Sequence, residues 1–436
     1  MKILDLKVTP VAIADPPLRN APGVHEPYIT RAIVELVGED GLSGFGETAC
    51  GSQTIGEFER VREDVVGRDV LHLTAISDAV AASLSATGKG HRDPVFEQYG
   101  ARPRARSMQA ERIYGAIEVA ALDLAGRALG VPVCDLLGGR FRDRVPFSAY
   151  LFYKHAGGGG EGEDVREDHY GEALDPESLV AQARQMIGEY GFRSIKFKGG
   201  VLPPHEEIAT VRQLRSAFGP EMPVRIDPNC NWSVETSIMV GKELAGSLEY
   251  FEDPALSIEG MAAVRKGLLA EGIDMPLATN MCVVSFADIP PSVASDAVQV
   301  ILGDHHYWGG LRAITELGRL CETFGIGLSM HSNSHLGISL LAMTHVVAAT
   351  PHLTYDCDTH YPWLHEADEI LAGGKVPIRD GMVTVPDAPG LGVEVDRDAL
   401  ARGHERYLRV PYRDRDDAGE MRKKYDPTWE KLIPRW

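Results

Sequence analysis

The sequence predicts an α/β fold: a TIM-type barrel of eight βα units carrying a separate α+β cap. Three observations predict it. Eight short apolar runs begin at residues 145, 194, 224, 248, 276, 298, 326 and 353, and after the first gap their starts lie roughly 22 to 30 residues apart, the length of one βα unit. The runs from the second to the seventh end in polar side chains, where a parallel barrel, buried on both faces along its strands, places its chemistry. The first fifty residues have a different texture, that of longer strands broken by Pro- and Gly-rich loops.

Taken in order, LDLKVTPVAI (4–13) and TRAIVELV (30–37) read as strands, PPLRNAPGVHEPY (16–28) as a loop and GEDG (38–41) as a turn. Helical periodicity follows from about 53 to 87, and AIEVAALDLAGRALG (116–130) is a helix ended by Gly130. Between them, 88–108 is polar and basic, with Arg102, Arg104 and Arg106 at spacing two, and reads as a solvated loop. The barrel runs are VPFSAYLF (145–152), SIKFKGG (194–200), VRIDPN (224–229), LEYFEDP (248–254), PLATNM (276–281), VQVILGD (298–304), IGLSMHSN (326–333) and LTYDCDTH (353–360). The segment GGGGEGEDVREDHYGE (157–172) cannot form a core and is expected to be a mobile loop. VPIRDGMVTVP carries a hairpin signal at Asp380-Gly381, and the tail is expected to return to the N-terminal strands. The expected division is a cap over 1–140, a barrel over 141–375 and a returning segment over 376–436.

Composition limits the function. Against 63 acidic residues stand 44 basic ones, a net charge of −19, which disfavours nucleic acid and requires local cations at any anion site. The six cysteines (50, 134, 230, 282, 321, 357) form no CxxC pair and read as reduced thiols of a cytoplasmic protein. The N-terminus lacks the apolar core of a signal peptide, and no run of about 18 apolar residues suggests a membrane span.

Asp227, Glu252 and Asn280 end the third, fourth and fifth runs, one βα unit apart. Three oxygen donors on adjacent strands, with no Cys or His, match Mg²⁺. As strand-end residues each could equally cap a helix; their common register favours the metal. Lys196 and Lys198, at spacing two, point to one side of their strand. A lysine beside a metal and a second cation is expected to have a depressed pKa, suiting it to general-base work. Asp304 and His331 end strands six and seven, and a carboxylate behind an imidazole fixes its tautomer. HSNSH (331–335) also has the H-x₃-H spacing of zinc helices, but it begins at a strand end. One arrangement accommodates all of these residues: a Mg²⁺ holding a substrate carboxylate while Lys198 and His331 face its α-carbon from opposite sides, with Lys196 adding positive charge.

These segments resemble the enolase superfamily, and within it the D-glucarate dehydratase group. The likeness runs through AIEVAALDLAGRALGVPVCDLLGG (116–139), KFKGG (196–200), DPNCNW (227–232), EDP (252–254), ATNM (278–281), HSNSHLGIS (331–339), DTH (358–360), PGLGVEVD (389–396) and RDDA (415–418). The superfamily's pattern of a Lys or His base with Mg²⁺ is well established. The resemblance implies a (β/α)7β-type modified barrel with a cap built from both chain ends. It implies Mg²⁺ on Asp227, Glu252 and Asn280, bases Lys198 and the His331–Asp304 dyad, and Lys196 and Asn229 assisting the enolate. His25, Tyr150, Phe152, Asn333, His360 and Arg415 would shape the substrate pocket. GDHHYW (303–308) departs from the group by placing His305 at its Pro. The implied activity is dehydration of D-glucarate and L-idarate to 5-keto-4-deoxy-glucarate, by a homo-oligomer. The alternatives are an epimerase or dehydratase of another acid sugar, and a non-catalytic ligand-binding barrel. A nicotinamide oxidoreductase finds no GxGxxG after a strand.

Overall fold

The computed structural model describes residues 1–85 and 108–436. Strands Ile3–Ala14, Tyr28–Gly38 and Ser43–Ala49 form an antiparallel sheet with Tyr28–Gly38 in the centre. The central strand is covered on both faces, which is why it runs apolar with little alternation. Helix Met108–Leu129 packs on one face so closely that a Cβ on Gly44 or Gly46 would overlap its backbone at Ala120 and Ala116. Two helices, Thr54–Val65 and Leu73–Ser85, occupy the stretch expected to be helical over 53–87. The basic residues Arg102, Arg104 and Arg106 lie outside the described residues.

Seven parallel strands follow in sequential order: Ala149–Phe152, Ile195–Lys198, Val224–Asp227, Tyr250–Glu252, Leu277–Thr279, Val300–Gly303 and Gly327–Met330. The eighth run is not a regular strand, yet it closes the ring. Thr354 and Asp358 donate to the carbonyls of Leu328 (3.0 Å) and Met330 (2.9 Å), and Ser148 donates to that of Cys357 (2.9 Å). The protein is therefore an α/β modified barrel with a strand-rich cap. Register sets its tiers: Phe152, Lys198 and Asp227 lie side by side, and Tyr150, Lys196 and Arg225 lie one tier below.

Two expectations are corrected. Segment 157–172 is not slack. Asp168 accepts from Lys154 Nζ and from the Gly157 amide (both 2.7 Å), Asp164 accepts from Arg406 Nε (2.9 Å) and Arg409 Nη2 (2.8 Å), and Arg166 pairs with Asp368 (2.6 Å). Of its acids, Asp164 has guanidinium partners on helix Arg397–Arg409 and Asp168 is held by an ammonium, so composition alone misses what pins the segment. The turn at Asp380-Gly381 does form, but strand Met382–Thr384 pairs with Arg144–Pro146 at the start of the barrel. The later tail does return to the cap: Arg406 and His404 bond the carbonyls of Ala12 (2.8 Å) and Pro10 (2.7 Å). Among the described residues, no helix is long and apolar enough to cross a membrane. All six cysteines are buried and form no disulfide.

Candidate active site

Asp227 and Glu252 sit at the C-terminal ends of their strands, fully buried. Asp253 joins them, and one oxygen from each of the three carboxylates lies within 4.8 Å of the others. Asp253 was not among the expected site residues. Its backbone turns at φ 37°, the left-handed region, aiming its side chain at the Thr279 hydroxyl (2.5 Å) and the Asn280 amide (3.0 Å).

One end of the Asn280 side-chain amide lies 2.7 Å from Asp253 Oδ2 and 3.3 Å from Glu252 Oε1; the other lies 3.2 Å from His331 Nε2. With nitrogen toward the carboxylates, both ends are hydrogen bonded only where His331 Nε2 carries a proton. With oxygen there, oxygen donors converge and only a cation makes the arrangement favourable. Glu252 Oε2 is buried without any hydrogen-bond partner. An all-oxygen donor set with an orphaned carboxylate oxygen fits a hard divalent cation such as Mg²⁺.

The carboxylates decide the state of the lysines. Lys196 Nζ donates to Glu252 (2.6 Å) and Asp358 (2.5 Å), and Lys198 Nζ donates to Asp227 (2.6 Å). The expectation of a depressed lysine is not met. Burial pushes both ammonium groups down, but Asp358 and Glu252 around Lys196, and Asp227 beside Lys198, outweigh it and hold both above their usual range. Among the carboxylates, burial and neighbouring charge raise Asp253 to about 7.

Asp304 ends strand six and is shared by two imidazoles: His331 Nδ1 at Oδ2 and His306 Nδ1 at Oδ1, each 2.8 Å. Burial alone would raise this carboxyl, but His306 and His331 hold it well below the usual carboxylate range. An ionised carboxylate only accepts, so each histidine donates to it from Nδ1, and His331 Nε2 is the ring nitrogen left to face the pocket.

One pocket joins these groups. Lys198, Asn229, Asn280 and His331 line it, together with His25, Tyr150, Phe152, Asn333, His360 and Arg415. Lys196, a tier lower, does not. Asn229 lies at the floor, donating to Asp227 (3.0 and 3.2 Å) with its own oxygen unpartnered. Tyr150, Phe152 and His360 form an aromatic wall with ring centroids 4.6 to 5.2 Å apart. Burial, then His25, His335, His331 and Lys198, push the His360 imidazole well below its ordinary value, so it is neutral. His25 is hydrogen bonded to Asp15 (2.9 Å), and Arg415 forks onto Asp417 (2.8 and 2.6 Å). Sequence reasoning missed Arg31, a buried cation lining the same pocket. Its one signal was a charged side chain inside the apolar run TRAIVELV.

Residues 178–399 match the family model described as "Enolase C-terminal domain-like". The chain is 47% identical to a Streptomyces coelicolor protein named as a probable glucarate dehydratase, over 100% of this chain and 99% of that one. Among solved structures, it is similar to an enolase from Pseudomonas fluorescens with bound magnesium, potassium and tartrate: 46% identity, TM-score 0.93, covering 100% of this chain and 99% of that one. It is similar also to an enolase from Thermobispora bispora complexed with magnesium and formate: 49% identity, TM-score 0.92, covering 100% of both chains.

Proposed function

The chain belongs to the enolase superfamily, and from that premise we propose that it is a Mg²⁺-dependent acid-sugar dehydratase, a hydro-lyase acting first on D-glucarate and also on L-idarate. The observation that carries this reading is the convergence on one pocket of two bases, Lys198 and His331, beside an all-oxygen donor set. The full-length likeness to a probable glucarate dehydratase supports the substrate class.

Asp227, Glu252 and Asn280 would hold the metal, which supplies a Lewis acid that stabilises charge on the substrate carboxylate. The α-proton goes to the Nε2 lone pair of His331 for D-glucarate, with Asp304 stabilising the imidazolium that forms. Lys198, on the facing wall, would take the proton of the C5 epimer, L-idarate, a role that needs its neutral amine and so release from the Asp227 contact that holds it as ammonium. With D-glucarate the dyad, protonated by its own abstraction of the α-proton, would then donate to the departing hydroxide. Asn229 and the lysines offset negative charge on the enolate, and the aromatic wall excludes water from it. His25, Asn333 and Arg415 bind the far end of the dianion, against the repulsion of a chain of net charge −19.

The test is to incubate the protein with Mg²⁺ and a panel of aldaric and aldonic acids and assay α-keto acid. D-glucarate and L-idarate should be turned over. Chelation should abolish the activity and Mg²⁺ restore it. Preference for a neutral sugar or a mono-acid, rescue by Zn²⁺ alone, or full activity after chelation would overturn the proposal.

A further inference from the structure

Arg31 sits mid-strand in the cap, fully buried, where a guanidinium is costly unless each donor is paired and its charge compensated. Its three nitrogens go three ways: Nε to Glu47 Oε1 (2.7 Å), Nη1 to Asn333 Oδ1 (3.2 Å) and Nη2 to His306 Nε2 (3.4 Å). Glu47, on the adjacent strand, extends the grip. Its Oε1 also accepts from the Leu336 amide (2.9 Å) and its Oε2 from the Ser339 amide (3.0 Å), at the start of helix Gly337–Ala348. Ser339 Oγ lies 3.0 Å from His306 Nε2. Every partner this ion pair has in the barrel thus belongs to one of two segments: the residues just after Asp304, and the loop that begins with His331.

The hydrogen bonds have a fixed direction. Both imidazoles donate from Nδ1 to Asp304, and since a guanidinium only donates, His306 Nε2 is the acceptor for Arg31, with the Ser339 hydroxyl beside it. A continuous row runs from Arg31 through His306 and Asp304 to His331. Because Glu47 neutralises Arg31 locally, the row transmits geometry rather than net charge.

We infer that Arg31, with Glu47 as its counter-ion, is a positioning residue for proton abstraction at His331: it fixes Asn333 in the pocket and, through His306, the Asp304 orientation that holds the base. The inference rests on the dehydratase reading for its kinetic consequences but not for its geometry, and its test separates the two. Lysine at this position would keep the charge and lose the planar fork.

Compare the wild-type chain with Arg31→Lys and Glu47→Gln. The first measurement needs no substrate. In NMR spectra of the full chain, the two imidazole N–H protons on Asp304 give low-field signals, assigned with His306→Asn. Arg31→Lys should shift or broaden the His306 signal. The second is steady-state kinetics per folded enzyme. kcat for D-glucarate should fall on the order of 10²-fold, the cost of a misplacement near 1 Å, while proton exchange from L-idarate in D₂O stays within about threefold. Tartrate affinity by calorimetry reads the Asn333 contact and should weaken by less than about tenfold, the worth of one neutral hydrogen bond. If Arg31→Lys leaves the low-field signals and kcat unchanged and lowers only the melting temperature, Arg31 is merely structural and the inference fails. Equal loss of turnover with both epimers would also overturn it. If the wild type turns over no acid sugar but the signals still move, the functional reading fails and the positioning role stands.

Discussion

Along the wall that carries Asp227, Glu252, Asp253 and Asn280, the polar partners come from barrel strands or the turns just after them: Lys198 for Asp227, Lys196 for Glu252, Thr279 for Asp253. The wall that carries Asp304, His331 and Asn333 leans on the cap. Arg31 reaches Asn333 and His306, Glu47 holds the Leu336 and Ser339 amides, and Asp15 Oδ1 accepts from Ser334 (3.4 Å). Strand register and the turns that follow the strands write the first wall. The second exists only where two parts of the chain some 300 residues apart meet. Damage to the cap should therefore disturb one base and spare the metal donors.

The largest effect should come from removing the cap-supported base itself. His331→Asn should lower D-glucarate dehydration by roughly 10²–10⁴. In D₂O the same variant should still exchange the L-idarate proton that Lys198 reaches, and Lys198→Met should show the complementary defect. Equal loss with both epimers would show that the two walls act as one group and erase the comparison. Next, Asp227→Asn should weaken Mg²⁺ binding by at least about 10²-fold in calorimetry, more than loss of a ligand's outer partner costs, with an unchanged circular dichroism spectrum. Arg31→Lys should leave Mg²⁺ affinity within error, and a fall there would show that the cap supports the metal wall too.

The smallest effect lies at a joint outside both walls. His345 on helix Gly337–Ala348 accepts from the Cys134 amide at Nδ1 and donates from Nε2 to the Leu391 carbonyl, both 3.3 Å. Burial lowers it from 6.5 to about 4. The unfolded chain then binds a proton that the folded chain refuses, so stability falls as pH drops from about 6.5 toward about 4, by roughly 1.4 kcal/mol per pH unit. His345→Gln removes that slope. Its stability deficit in urea should shrink by about 2 kcal/mol between pH 6.5 and 5. A constant deficit would mean that folding does not lower the proton affinity of His345.

Much of this was legible in the chain. Apolar runs at βα spacing gave the barrel, and three oxygen donors at strand ends gave one wall, because a parallel strand tolerates a carboxylate only where something compensates it. The lysine pair was misjudged for a countable reason. Its cations were weighed against each other, while Asp358, a partner of Lys196, sat unnoticed in an eighth run read only as a pocket segment. Asp253 was invisible because its contribution depends on a left-handed turn. Arg31 and Glu47 look like stray charges in cap strands until the loop after His331 is laid against them. Segment 157–172 reads as a mobile loop because composition cannot show ion-pair partners 200 or more residues away, Asp368 for Arg166 and Arg406 for Asp164.

That last segment bears on how the substrate range of this scaffold could be broadened in a mutant library. Its glycines look like free positions for randomisation, and they are not equivalent. A Cβ on Gly158 or Gly160 would collide with backbone of the segment itself, and one on Gly159 would strike the backbone of Asp15, whose carboxylate holds His25 in the pocket. Gly162, two positions on, faces open space but turns at φ 59°, so it admits only residues that tolerate the left-handed region, such as Asn or Asp. A screen that diversifies 158–160 should return mostly dead clones, whereas Asn or Asp at 162 should be tolerated, provided that Asp164, Arg166 and Asp168, which tie the segment down, are kept.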